Sequence, residues 1–166
     1  MDPRPGTADG QSDDEGDDDV VSSEQQDAEH KVPPDVDEST VAALGLLSEA
    51  LETTERARGH LYSFHQLTGT ADFKLGEAAD ELAAAGHSEL AEELQAELIG
   101  RNVVAGRWTF QIVEDYDDNY WGRFRDLEQK ARDQLAAGRR HLHEAQLKEQ
   151  RRTHGKPGHA ARPQEE

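Results

Sequence analysis

All nine aromatic residues of this 166-residue chain lie between Tyr62 and Phe124. Six of them fall in one stretch, Arg107 to Phe124 (RWTFQIVEDYDDNYWGRF), as Trp108, Phe110, Tyr116, Tyr120, Trp121 and Phe124. Tyr62, Phe64 and Phe73 form a second stretch upstream and are expected to pack against the first. Aromatic side chains bury the largest areas and dominate small cores. Any compact domain here is therefore organised around these two segments.

Charge divides the chain in the same way. Residues 1–40 carry 14 Asp and Glu against Arg4 and Lys31, which places −12 of the formal −18 in the first quarter. That quarter also holds Pro3, Pro5, Pro33, Pro34 and the run DDEGDDD, with no Phe, Tyr or Trp and few large aliphatics. Such a segment cannot bury enough apolar surface to offset its ordering entropy. The expected organisation is a disordered acidic tail over 1–38, a helical bundle domain over 39–147, and a frayed basic tail over 148–166 with scattered His, Gly and Pro. Deleting residues 1–38 is then expected to leave stability nearly unchanged.

The acidic balance argues against a nucleic-acid binder, which needs clustered Lys and Arg for phosphate contacts. It leaves open an acidic nucleic-acid mimic or regulator, or a tail that binds a basic partner. The absence of cysteine excludes disulfides and thiolate catalysis. The opening MDPRPGTADG lacks a basic region followed by an apolar run, and the longest apolar run, Val41 to Leu47, is too short to span a bilayer. A soluble cytoplasmic protein without membrane contact is expected.

Hydrophobic periodicity predicts helices throughout and no strands. A first helix should begin near Ser39 or Thr40, behind Asp37 and Glu38, and end near Gly69. With Leu61 at the centre of its apolar side, Ala43, Leu47, Ala50, Thr54, Ala57, Phe64 and Thr68 share that side, while Glu49, Glu52, Thr53 and Arg56 lie opposite. A second helix is expected over 72–85. Gly86 should stop it, and Ser88 should cap a third over 88–100. The last helix should start near Thr109 and run past His143, bending at Gly122 and Gly138, with Val113, Tyr116, Tyr120, Phe124, Leu127, Ala131 and Leu135 on its buried face. The fold class expected is all-α, a bundle of two long helices and a short helical hairpin behind the acidic tail.

Two polar residues intrude on the first helix's apolar side, His65 within it and Arg58 at its edge. A buried His needs hydrogen-bond partners, and a buried Arg needs a carboxylate; Asp117, beside the apolar stripe of the last helix, is the natural partner. Arg58, His65, Tyr116, Asp117 and Tyr120 are thus the candidate polar network or ligand site. A metal alternative uses His60, His65, Glu114 and Asp118. Two histidines five apart do not share a helix face, and the EF-hand spacing and the paired Glu-x-x-His of a di-iron bundle are missing. No cofactor is expected. Gly69, Gly76, Gly86 and Gly106 form no phosphate loop, and no GxSxG elbow is present. Trp108, just before the last helix, should plug one end of the bundle.

Three segments together, ERARGHLYSFHQLTGTADF, GRNVVAGRWTFQIVEDYDDNYW and GRRHLHEAQLKEQRRTHGKPGH, resemble a family of small helical proteins of high-GC actinobacteria with no assigned activity. The resemblance spans Ala42 to His159, and five Lys against thirteen Arg suit such a genome. It implies no reaction, cofactor or catalytic residue. The function expected is a non-enzymatic protein-interaction or self-association module, with a protein partner or a homo-oligomer as the associate. The alternative is a ligand- or metal-binding bundle, enzymatic or not, with its site near His65 and residues 108–121.

Overall fold

The computed structural model describes residues 24–163, and the acidic run DDEGDDD lies outside them. The described residues form helices α1 (Glu38–Ala84), α2 (Ser88–Glu97), α3 (Thr109–Asp115), α4 (Gly122–Ala136) and α5 (Leu142–Arg151). A π-helical turn, Tyr116–Trp121, joins α3 to α4. The all-α class expected from periodicity is what the structure shows. The arrangement of the helices differs from the expected one in three respects.

First, the two helices expected over 39–69 and 72–85 are one helix of 47 residues. Asp37 caps it, its Oδ1 accepting from Thr40 N at 2.7 Å and from Ser39 Oγ at 2.9 Å. Gly59, Gly69 and Gly76 lie inside it. Each costs about 1 kcal/mol of helix propensity, which is too little to break a helix whose side is packed along its length. The helix stops at Gly86, whose φ of +89° suits glycine alone, and His87 N donates to Leu82 O at 2.8 Å across that stop. Ser88 is the first residue of α2, not its cap.

Second, the last helix is not continuous past His143. Ala137 (φ 51°) and Gly138 (φ 74°) both turn left-handed, and α4 ends there with Gly138 N donating to Arg132 O. Gly138 therefore terminates the helix where a bend was expected. The chain reverses into α5, which lies against the start of α1 so closely that a Cβ on Gly45 would meet the His143 side chain at 3.0 Å.

Third, the segment 24–36, assigned to the tail, lies against the helices. Val32 and Val36 pack on the core cluster of Val41, Leu44, Ala136 and Leu142. Gln26 Nε2 donates to Ala145 O at 3.1 Å. Arg152, its side chain only 3% exposed, pairs with Glu24 and Glu149, and Gly155 N donates to Glu24 Oε1. The described residues from Lys148 to Pro163, expected to fray, are instead tied to the fold: α5 continues to Arg151, and Arg152 joins the segment to Glu24. Few apolar groups are needed for this, because buried guanidinium–carboxylate contacts and two valines anchor the segment.

Every other helix packs on α1. α2 folds back antiparallel on its C-terminal third, while α3, the π turn and α4 run antiparallel along the rest, and α5 covers its N-terminal end. The inward residues of α1 recur every three or four positions: Leu44, Leu47, Leu51, Thr54, Arg58, Leu61, His65, Thr68, Asp72, Leu75, Ala79 and Leu82, all buried or half-buried. This seven-residue rhythm is that of a coiled-coil seam. Ala43, Ala50, Ala57 and Phe64, expected on the buried side, are exposed instead. They belong to a second seam offset by one residue, which no part of the described chain covers.

If α1 is continuous, Gly69→Ala adds a methyl that meets nothing within 4 Å and should raise stability by about 0.5–1 kcal/mol in urea denaturation. A loss would mean that Gly69 ends a helix. A chain beginning at Asp37 should melt at least ~5 °C below one beginning at Glu24, because Val32 and Val36 leave the core.

Candidate functional site

The polar residues of the filled seam are each met by a different part of the chain. Arg58 reaches the π turn and makes a bidentate pair with Asp117, Nε to Oδ1 at 2.7 Å and Nη2 to Oδ2 at 2.8 Å. The Tyr62 hydroxyl donates to Asp117 Oδ2 at 3.1 Å and accepts from Arg58 Nη2 at 3.2 Å. The guanidinium carbon of Arg58 lies 4.1 Å from the Trp121 ring centroid and 4.9 Å from that of Tyr62. Arg125 sits over the Trp121 ring as well, at 4.6 Å, and Trp121 Nε1 donates to Glu55 Oε1 at 2.7 Å. Planar cations on aromatic faces gain quadrupole attraction that ordinary ion pairs lack.

Electrostatics follows the geometry. The hydrogen bonds from Arg58 hold the Asp117 carboxyl below the usual carboxylate range, with burial opposing and Tyr62 assisting. The same pair raises the Arg58 guanidinium above its ordinary value. Burial, reinforced by Tyr120 and Asp117, pushes the Tyr116 phenol up. Asp117 is thus a fully ionised acceptor already committed to three hydrogen bonds. It is a poor general base, because taking a proton would cost the pairing that holds it.

The π turn explains why these groups meet. Its wider loop carries one residue more than an α-turn, with Gly122 N donating back to Asp117 O. A Cβ on Gly122 would lie 2.9 Å from that oxygen, so a residue without a side chain suits the position. The extra residue shifts the phase of everything after it. Trp121, Phe124 and the buried Glu128 turn toward α1, whereas Tyr120 and Leu127 turn to the surface. Leu135, also expected on the buried face, is exposed beside the buried Ala136. Tyr120 accordingly stands outside the Arg58–Asp117 network, in a ring ladder 5.6 Å from Tyr116 and 6.2 Å from Phe124. Glu128 is held by Arg132 Nε at 2.7 Å and Ser48 Oγ at 3.0 Å, a buried polar contact that hydrophobic phasing alone could not locate.

His65 is half-buried and bonds to Thr109, not to a carboxylate: its Nδ1 lies 2.7 Å from Thr109 Oγ1. Of the four residues in the metal alternative, His60, Glu114 and Asp118 are exposed. Among the described residues no group of three His, Asp or Glu is arranged to hold a metal ion.

Thr109 also borders a groove of about 460 Å³ that sequence reading missed. Its walls are Thr68, Gly69, Ala71, Asp72 and Leu75 of α1, Leu98 at the end of α2, and Arg101, Asn102, Val103 and Trp108 of the connection. Trp108 closes one side, with Nε1 donating to Arg101 O at 2.7 Å and its backbone N to Gln111 Oε1 at 2.8 Å. Asp72 closes the other, accepting from Gly100 N at 2.9 Å. Gly69, which has no side chain to fill the space, was the one sequence signal for it. None of the described helices is long and apolar enough to cross a membrane. No protein-family model, curated protein or solved structure matches the chain.

Asp117→Asn should cost about 1–3 kcal/mol at neutral pH, because it leaves Arg58 half-buried without its counter-charge. A carboxyl whose folded pKa is depressed stabilises above its ordinary value and loses that contribution as pH falls through the folded one. The difference between the two proteins, followed by urea denaturation, should therefore shrink below about pH 4.

Proposed function

We propose that the protein is a non-enzymatic association module, in which one long helix presents an apolar face to a protein partner. One observation carries this reading. Among the described residues, the second seam of α1 lies bare over most of the helix, with Leu46 68%, Phe64 44% and Leu67 68% exposed. Scattered apolar residues on a surface are ordinary, but an apolar stripe in register along a helix is a recognition surface. The polar cluster at Arg58 supports the same reading, since its donors and acceptors are spent on one another and it stiffens the face beside it. The groove beneath Trp108 favours a second reading, a small apolar ligand, because its volume falls in the range of ligand pockets.

Site-specific photocrosslinking in the cells that make the protein tests the first reading. A photoreactive residue at Leu46 or Leu67 should give a discrete protein adduct, and one at Glu52, on the opposite side of α1, should give none. Equal or absent labelling at all three positions would remove the association reading.

A further inference from the structure

We propose that the partner on the bare seam is a second copy of this chain, with the two α1 helices antiparallel about a two-fold axis between Phe64 and Leu67. The inference rests on the association reading and supplies its partner.

The seam's two sets of positions differ in size. One set is small except at its centre: Ala50, Ala57, Phe64, Ala71 and Ala78. The other holds Leu46, Thr53, His60, Leu67, Lys74 and Glu81. All are exposed. Antiparallel helices place one set opposite the other, and parallel ones place each set opposite itself. A parallel pair would therefore stack alanine on alanine, leaving voids, and set Lys74 against Lys74. The antiparallel pair centred between Phe64 and Leu67 sets Phe64 of each copy against Leu67 of the other. It then faces Ala71 with His60, Ala57 with the aliphatic stem of Lys74, Ala78 with Thr53, and Ala50 with the stem of Glu81. Small against large is how facing helices interdigitate without voids.

The same register decides the charges along one flank. Arg56 of each copy comes opposite Glu77 of the other, twice by symmetry. Both are exposed, and among the described residues Arg56 bonds only locally, to Thr53 Oγ1 at 3.1 Å. This charge complementarity is independent of the size match that fixes the register. The other flank is the filled seam itself, so two copies close into a four-helix layer. The short helices of one copy then lie beside α2 of the other, where Tyr120 and Leu127 on one side and Leu90 and Leu98 on the other are exposed. The α1 contact alone, about 48 Å long and ~10 Å wide, buries on the order of 1,000 Å² in total, the lower bound for a specific interface. A dimer in the micromolar range is expected.

Sedimentation velocity of the full chain tests this. The wild type should shift from monomer to dimer between about 1 and 200 µM. Phe64→Gln with Leu67→Gln should be monomeric over that range and keep its helical circular dichroism. Arg56→Glu and Glu77→Arg should each weaken the dimer about tenfold at low salt, through two like-charge contacts. An equimolar mixture of these two variants should recover wild-type affinity, because each then meets the opposite charge at both ends. A wild type that stays monomeric, a trimer or larger species, or a mixture no tighter than either variant would overturn the second-copy assignment. If the chain is monomeric yet the stripe crosslinks to another protein, the association reading stands and only its self-pairing falls.

Discussion

The structure depends on α1 being an unbroken rod of 47 residues. All the other helices are short, and each finds its burial on this rod. A helix of seven to fifteen residues is marginal in isolation, so these elements are held in place by packing and not by their own propensity. The consequence is a thin molecule with one long side filled. Among the described residues, Val41, Leu44, Ala136 and Leu142 form a buried cluster where α1, α4, α5 and the 24–36 segment converge, while Ala79, Ala91 and Val113 are buried separately farther along the rod. The aromatic segment, for all its bulk, is half exposed and packs along the rod instead of forming a central core.

Three positions of the filled seam, spaced seven residues apart, carry strongly polar side chains: Arg58, His65 and Asp72. Leucine at all three would bury more area, but a uniform apolar seam has no preferred register. Each polar residue has one partner on a different element, Asp117 in the π turn, Thr109 at the start of α3, and the Gly100 N–H after α2. A slip of one turn would strand all three, and the cost of stranded polar groups exceeds what a little more apolar burial could offset. The polar seam thus sets where the short helices sit along the rod. It also explains why Arg58 and Asp117, which look most like a site in sequence, are spent on each other and on Tyr62, while the open space lies beside them under Trp108.

Fold class, the N-terminal cap at Asp37, the stop at Gly86 and the pairing of Arg58 with Asp117 could all be read from local residue chemistry. Each follows from a rule that acts within a few residues, or from the need of a cation on an apolar face for a counter-charge. Position along the chain could not be read where a competing term was tertiary. Gly69 looked like an end because glycine disfavours helix, and seam packing on either side outweighed it. The 24–36 segment looked like tail because it is acidic and poor in apolar groups, yet Arg152 and the Val41 cluster give it something to dock on.

The phase of the buried face was the least legible feature. On α1 the apolar side reads as one broad stripe centred on Leu61, and sequence determines its width. Only the tertiary structure decides that the short helices take one half of it, through Leu44, Leu51 and Arg58, and leave Ala50, Ala57 and Phe64 bare. On the last helix sequence determines the hydrophobic period, but a single extra residue in the π turn rotates the rest by about 100° and turns Tyr120 outward. Periodicity counts residues, whereas burial counts turns. The two part company wherever the backbone inserts a residue, or the chain has fewer helices than its apolar faces could cover.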